Sequence, residues 1–409
     1  RKLSELTLAH VSSVKGGATP ASPSSAPVVA ATSPDFVLGS SETVWEQESI
    51  TPILDLEAGM IKGDTANLMA CRARVEAALA SLEQADPEAS PLREAQELED
   101  GGIRAMLGQL PKLTPDELTR IINADTKRTF QGDLAKSVLE PVLQQAAELF
   151  DGEYHQGEAR VAGFLLMMMP ADQVVRTLHL LQRSPRHGVF AYWRNLAVGL
   201  AADANCVEAV VAKTDPELAD HLSKKLYLPA GTWCPKYCAA LGVSMLPYPN
   251  LLSFFERFVA EGADFLVRFC LALLQEVRPA LMAATDISQG LRQLEIKQHV
   301  GQDGAGLQTT IALVERVIAR THDMKDLKLD KSMTRLREEF LAAEVEKGIA
   351  RYVNPANDDD EGVEECQLCN DNLPDFRCND CGLIVCEDCH SEPPAGSKHS
   401  SAHNVKEFE

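Results

Sequence analysis

The sequence lacks any hydrophobic run long enough to cross a membrane. Its longest apolar run, Val161–Met169, has nine residues, whereas a transmembrane helix needs about 20. Basic residues are also scarce, because 39 Lys and Arg stand against 60 Asp and Glu and give a net charge of −21. A chain this acidic, with no basic stripe, would be repelled by a phosphate backbone. We therefore expect neither a nucleic-acid partner nor polybasic anchoring to lipid.

The cysteines lack the even spread of a secreted disulfide framework. Five of the eleven are scattered, and the other six lie between Cys366 and Cys389 at metal-ligand spacing. This distribution predicts a reducing, cytoplasmic environment. No signal peptide is recognisable. The chain begins at Arg1 rather than Met, so its natural start could lie upstream.

Strand signals are nearly absent from residues 50 to 350, and no internal repeat is visible. Apolar residues instead recur at helical spacing, which predicts an all-α fold. At about 150 residues per domain, 409 residues suggest two to three domains. We predict a Ser/Ala/Pro-rich tail (1–40), a helical domain (41–285), a helical extension (286–352), an acidic linker (353–365) and a metal-binding module (366–409).

The helical periodicity also gives approximate element bounds. We expect a helix from Thr114, where a Thr cap, a Pro and a Glu form a capping box. The other predicted helices cover 68–82, 134–150, 158–169, 171–183, 189–213, 216–226, 233–243, 249–260, 263–278, 307–319 and 331–350. The apolar run from Val161 to Met169 is predicted to be helix core.

The C-terminal module has eight potential metal ligands within 38 residues. They are Cys366, Cys369, Cys378, Cys381, Cys386, Cys389, His399 and His403. Each C-x2-C unit presents two thiolates on one side, and two units, or one unit and a His pair, complete a tetrahedral site. The module has too few apolar residues for a core of its own, so metal must supply much of its folding free energy. Free or disulfide-bonded thiols are the alternative.

This pattern resembles the B-box zinc finger, including the closing His399-x3-His403. The resemblance implies two interleaved zinc ions: one held by Cys366, Cys369, Cys386 and Cys389, the other by Cys378, Cys381, His399 and His403. The long gap before His399 makes His390 a competing ligand. B-boxes mostly mediate protein contacts and self-association, so the resemblance implies a structural rather than a catalytic module.

Two polar motifs interrupt the helical region. Asp125 and Arg128 continue the apolar stripe that begins at Leu118, although a solvated face would put such charges on the opposite side. A partly buried structural ion pair is the plain alternative. The second motif, Tyr154-His155-Gln156-Gly157, precedes the apolar run and could instead be a loop with a helix cap.

Together, Ile-x2-Asp-x2-Arg followed by Tyr-x-Gln-Gly resembles the two signature motifs of the TBC domain, the activating module for Rab-type small G proteins. Further similarity follows in order, at 216–222, Trp233, Leu246-Pro247, Phe254-Phe255 and 261–274. The resemblance implies an all-α, multi-helix fold and a GTP-bound Rab-type partner in membrane traffic.

The resemblance also implies the roles of individual residues. Arg128 would be an arginine finger and Gln156 would orient the attacking water, while Asp125, Thr129, Tyr154 and Gly157 would support them. The chain would then be an activator and not an enzyme with its own substrate pocket, cytoplasmic or peripheral on endomembranes through partners. The main alternative is a non-catalytic Rab-binding scaffold. A ubiquitin ligase would need a RING, which the five scattered cysteines cannot form.

Overall fold

The computed structural model describes residues 35–47, 65–84, 106–184, 186–300, 306–324, 331–353, 368, 376–391, 393 and 397–407. Most of the predicted tail and linker lies outside these residues, as do Cys366 and Cys369. The chain divides into two compact units, one up to Val345 and the other from Glu346. The domain boundaries drawn from the sequence stay predictions.

The first unit is built from α-helices, and in its described residues there is no β-strand. This confirms the predicted all-α class. The first six helices are α1 (Glu42–Gln47), α2 (Thr65–Gln84), α3 (Pro115–Thr129), α4 (Asp133–Leu149), α5 (Gln156–Leu166) and α6 (Ala171–Arg183). They are followed by α7 (Val198–Thr214), α8 (Pro216–Asp220), α9 (Cys234–Cys238), α10 (Tyr248–Glu261), α11 (Ala263–Ala283), α12 (Ile287–Leu294), α13 (Leu307–Asp323) and α14 (Lys331–Val353).

Helix α3 begins as its sequence predicts. Thr114 accepts a hydrogen bond from the Glu117 amide, and the Glu117 carboxylate accepts one from the Thr114 amide at 2.8 Å. Pro115 occupies the first helical position, where its missing N–H costs nothing. This double cap fixes where α3 starts and therefore which residues of its last turn face inward.

Helix α5 is the centre of the core around the two polar motifs. It packs against α3, α4 and α6, and every residue from Val161 to Met169 is buried. The predicted burial of this run is confirmed, but α5 ends at Leu166, so Met167–Met169 lie in the turn after the helix and not in it. Because α5 is enclosed on several sides, the side chains at its start are set by a rigid body rather than by a free loop.

Three predicted helices are shorter or less regular than the periodicity suggested. The 189–213 segment is a 3₁₀ turn at Val189–Ala191 followed by α7, which begins only at Val198. Residues between them bond to distant partners, among them the indole of Trp193, which donates to the Ala239 carbonyl at 2.9 Å. Such tertiary contacts override helical propensity.

The other two differences lie in the next segments. The 216–226 segment changes from α8 to a π-helical turn at His221–Lys225. The 233–243 segment contains only α9 before the chain turns at Leu241 and Gly242, which both have a left-handed φ.

Helix α14 joins the first unit through a buried polar network. Its Arg337 donates to both carboxylate oxygens of Asp203, at 3.0 Å for Nη2 to Oδ2, and to the hydroxyl of Tyr192 at 3.3 Å. Asp203 and Tyr192 are buried, and the Tyr192 hydroxyl also donates to Asp203. Leu341 and Val345 of α14 are also buried.

The second unit contains a small antiparallel sheet of order β2-β1-β3. Its strands are β1 (Phe376–Cys378), β2 (Ile384–Val385) and β3 (Val405–Glu407), and a short helix, α15 (Glu387–Ser391), follows β2. Gly382, with a φ of 75°, turns the chain between β1 and β2. No described helix of either unit is long and apolar enough to cross a membrane.

Replacing Arg337 with Ala should lower the free energy of unfolding by roughly 3 kcal/mol, because breaking a buried ion pair leaves Asp203 charged and uncompensated. Arg316→Ala is the matched control. Arg316 on α13 is 59% exposed and pairs with Glu276 at 3.2 Å, and such surface pairs contribute less than about 1 kcal/mol. Urea unfolding followed by circular dichroism measures both. Equal losses for the two variants would contradict a structural role for the Arg337 network.

Candidate functional site

The last turn of α3 places Asp125 and Arg128 on one face. The Asp125 carboxylate is buried, whereas the Arg128 side chain is 49% exposed. Arg128 Nη1 lies 3.5 Å from Asp125 Oδ1. The ion pair is therefore buried at its anionic end and open at its cationic end, so the guanidinium is anchored but accessible.

Tyr154 connects the second motif to the first. Its ring is buried, and its hydroxyl donates to Asp125 Oδ2 at 2.8 Å across 29 residues of sequence. Burial and the adjacent Asp125 carboxylate raise the pKa of Tyr154 well above its ordinary value. The phenol therefore remains a hydrogen-bond donor at any physiological pH, and Asp125 is held by two partners at once.

The loop that carries Tyr154 is fixed by a second ion pair. Glu153 is buried and accepts a hydrogen bond from Arg194 Nη1 at 2.7 Å. The guanidinium of Arg194 also lies over the ring of Phe150, 5.1 Å from its centroid. Sequence reasoning missed this pair. Glu153 directly precedes the motif, but no local signal points to an arginine 41 residues away.

His155 caps the start of α5, and Gly157 lets this turn pack closely against Ala239. His155 Nδ1 accepts from the Gly157 amide at 3.1 Å, and burial lowers the pKa of His155 to about 4, which keeps its imidazole neutral and able to accept. A Cβ on Gly157 would lie 2.2 Å from the Ala239 carbonyl oxygen. Only glycine allows this close approach.

The structure gathers most of the predicted site residues. Asp125, Arg128 and Tyr154 are in direct contact, and Gly157 fixes the helix start next to them. Gln156 is the first residue of α5 and is exposed. Thr129, predicted as a support for Arg128, is buried at the end of α3. Two accessible polar side chains, one cationic and one a carboxamide, thus project from adjoining rigid helices.

Glu158 is a buried acid that follows the second motif. It has no exposed surface, and Gln182 Nε2 on α6 donates to its Oε1 at 2.7 Å. The other oxygens of both side chains, Glu158 Oε2 and Gln182 Oε1, have no hydrogen-bond partner among the described residues. Burial raises the pKa of Glu158 well above its ordinary value. A protonated Glu158 could donate to Gln182, so a neutral acid–amide pair accounts for both orphan atoms.

A cluster of two thiols and two imidazoles forms in the second unit. Cys378, Cys381, His399 and His403 offer ligand atoms that all lie within 4.8 Å of one another. Cys378 Sγ lies 3.5 Å from His403 Nδ1, and Cys381 Sγ lies 3.3 Å from His399 Nδ1. These are the four residues that the B-box resemblance assigned to one ion.

The spacing and chemistry of this donor set fit zinc. Zn–S bonds of about 2.3 Å and Zn–N bonds of about 2.0–2.1 Å in a tetrahedron place sulfur and nitrogen about 3.5 Å apart. The two observed separations match this value. Cys386 and Cys389, predicted for the other ion, are buried side by side with Val385, while their predicted partners Cys366 and Cys369 lie outside the described residues.

The competing ligand His390 lies behind this cluster. Its Nδ1 is 2.9 Å from Nε2 of His399, the nitrogen that points away from Cys381. His390 is not among the four described residues whose ligand atoms converge.

A known family model matches part of the helical region. Residues 95–282 match the model of the Rab-GTPase-TBC domain family, so the TBC resemblance of this segment is confirmed. The match includes the whole site formed by α3, the Tyr154 loop and α5.

Two curated proteins are similar to part of the chain. The chain is 25% identical to the Rab GTPase-activating protein eat-17 of Caenorhabditis elegans over 239 residues, which is 56% of this chain and 26% of that protein. It is 26% identical to the human Ecotropic viral integration site 5 protein homolog over 190 residues, 44% of this chain and 23% of that protein. The chain thus spans about a quarter of the length of these relatives.

Glu158 should make the protein less stable as the pH rises. Because its folded pKa is raised above its unfolded value, the stability it contributes is complete at low pH and is lost as pH rises through the folded pKa. Glu158→Gln, which forms an amide pair with Gln182 at every pH, should remove that loss. The free energy of unfolding of Glu158→Gln minus that of the parent should increase by more than about 1 kcal/mol from pH 5 to pH 8. Each unit of pKa difference between the folded and unfolded states corresponds to about 1.4 kcal/mol.

Urea titrations at the two pH values measure this difference. Glu148→Gln, at an exposed position of α4, is the control and should show no such gain. A Glu158→Gln variant that follows the parent at both pH values would mean that Glu158 is charged in the folded protein.

Proposed function

We propose that this TBC-domain chain is a GTPase-activating protein for a Rab-type small G protein, to which it lends Arg128 and Gln156. Both positions are exposed, as residues that enter a partner's active site must be. The similarity to a Rab GTPase-activating protein supports the class of partner.

The observation that carries the proposal is the shared carboxylate of Asp125. It pairs with Arg128 at 3.5 Å and accepts from Tyr154 at 2.8 Å. One buried group therefore sets the position of the arginine and of the loop that leads into Gln156. A salt bridge with only a structural role has no need to connect the two motifs. It also has no need to leave the side chains of Arg128 and Gln156 accessible to a partner.

Arg128 would stabilise charge during GTP hydrolysis. The transition state is loose and spreads charge over the phosphoryl oxygens, so catalysis depends on positioning and electrostatics. A planar, always-charged guanidinium can donate to two oxygens at once, which a lysine cannot do. An arginine supplied in this way is worth roughly 10³–10⁵ in rate. Asp125 would hold the guanidinium in advance, which lowers the cost of ordering it.

Gln156 would orient the attacking water. Its carboxamide has both a donor and an acceptor, the combination needed to hold a water and a phosphate oxygen together. The capped N-terminus of α5 and the contact of Gly157 with Ala239 fix the backbone from which it extends. In this scheme the G protein binds the nucleotide, and this chain is an activator that acts in trans in membrane traffic.

The C-terminal unit would be a B-box-type zinc module with two interleaved ions. Cys378, Cys381, His399 and His403 would hold one ion, and the thiols of Cys366, Cys369, Cys386 and Cys389 the other. The geometry of the first set supports this assignment. The module would serve self-association or contact with a protein partner, and the chain would be cytoplasmic, reaching endomembranes through its partners.

Arg128→Ala should reduce stimulated GTP hydrolysis by about 10²-fold or more, because the lost charge acts mainly in the transition state. Arg128→Lys should recover little of it. Gln156→Ala should be similarly impaired, while binding of the GTP-loaded G protein changes much less than the rate. Single-turnover hydrolysis with a panel of purified Rab-type G proteins measures these effects.

Matched controls exist on the same and the next helix. Arg120→Ala on α3 and Gln145→Ala on α4, both at exposed positions, should keep the parent rate. Tyr154→Phe should fall between the parent and Arg128→Ala, since it frees Asp125 without removing the guanidinium. If Arg128→Ala and Gln156→Ala both stay within about twofold of the parent while the G protein still binds, the chain is a scaffold.

The purified full chain should contain about two zinc ions. Chelation should unfold the region from 366 to 409, because the folding of a module without a sufficient core depends on its metal. The helical signal of the first unit should persist. Elemental analysis and circular dichroism with and without a chelator provide the measurements.

Single substitutions separate the two zinc positions. Cys378→Ser and Cys386→Ser should each remove about one ion, whereas Cys206→Ser, a buried cysteine of α7, should remove none. A zinc content near zero in metal-replete preparations would refute the zinc module, and a content near one would refute the second site.

A further inference from the structure

We propose that His390 is a positioning residue that holds His399 in the tautomer and orientation needed to bind zinc through Nδ1. This inference rests on the zinc module proposed above. It gives His390 a role different from that of a competing ligand, because His390 would contact a ligand and not the metal.

The two nitrogens of His399 face different partners. Its Nδ1 lies 3.3 Å from Sγ of Cys381, one of the four residues whose ligand atoms converge. Its Nε2 lies 2.9 Å from Nδ1 of His390. A neutral imidazole that gives its Nδ1 lone pair to a metal must carry its proton on Nε2. That N–H then points directly at an acceptor.

His399 needs such an acceptor because it is buried. Its side chain is only 4% exposed, so an N–H without a partner would be desolvated with nothing in return. Outer partners of this kind fix the tautomer and the ring orientation of ligating histidines and raise their basicity. With Nδ1 accepting, the ring proton of His390 lies on Nε2.

His390 is itself held in place. It lies on α15, one residue after Cys389, and its ring contacts Phe376 edge-on with centroids 5.3 Å apart. Phe376 begins β1, the strand that ends at the ligand Cys378. The position of the acceptor is thus determined by the same strand that presents a thiol. His390 also follows directly on Cys389, which is assigned to the other ion. It would therefore link the positions of a ligand from each of the two zinc sites.

The test compares two substitutions of His390 in the full chain. His390→Leu keeps apolar bulk beside Phe376 but removes the acceptor. His390→Asn keeps an oxygen acceptor near the position of Nδ1. The affinity for each zinc ion is measured by competition with a chelator of known affinity. The variants His399→Leu and Cys381→Ser show which of the two ions is bound by the four-residue set. His322→Leu, at an exposed position of α13, is the control.

We expect His390→Leu to keep two zinc ions but to bind the ion of this set 10–100-fold more weakly, as loss of an outer partner typically does. His390→Asn should stay within about threefold of the parent. In ¹⁵N spectra of histidine, His399 should carry its proton on Nε2 in the parent and in His390→Asn.

Each of the following results would overturn the proposal. If His390→Leu loses one ion completely, as His399→Leu does, His390 is a ligand. If His390→Leu binds zinc as tightly as the parent, or if His390→Asn binds it as weakly as His390→Leu, then His390 does not act by accepting a hydrogen bond. A parent chain without zinc would overturn the zinc module itself, which these other outcomes leave intact.

Discussion

The carboxylate of Asp125 is the group on which the arrangement of the helical site depends. It is buried at the end of α3, where an unpaired charge would be costly, and it is satisfied by one neutral donor and one cation. The Tyr154 hydroxyl makes burial of the charge tolerable, and the exposed guanidinium of Arg128 balances it at the surface. One buried carboxylate thus joins the two motifs.

The second unit achieves rigidity by different means. It has little apolar core, with Val385 and the thiols of Cys386 and Cys389 at its centre. In place of a core, its short strands and tight turn bring soft donors to a common point. In the second unit, the spacing of the ligands along the sequence sets the geometry. In the helical unit, the packing of side chains sets it. The acid–amide pair of Glu158 and Gln182 combines the two, because it is a polar contact inside a packed apolar core.

Much of the fold and of the site could be predicted from the sequence, and the failures have a common cause. The capping box at Thr114, the apolar stripe of α3 and the buried run of α5 are local patterns, so their periodicity revealed them. Regular C-x2-C spacing revealed the candidate ligands, and the B-box resemblance grouped the four that converge. In contrast, Glu153 and Arg194, or Glu158 and Gln182, meet only after folding. The breaks at 192–197 and 241–242 likewise arise from tertiary contacts that no local pattern encodes.

The close approach of Gly157 to the Ala239 carbonyl means that the two proposed fingers respond differently to ionic strength. Arg128 is placed by attraction between charges, and its exposed end is screened over a Debye length of about 8 Å at physiological salt. The start of α5 is placed by close packing of the Gly157 backbone on Ala239, which dissolved ions do not weaken. Salt would therefore loosen the cationic half of the site while the carboxamide half keeps its geometry.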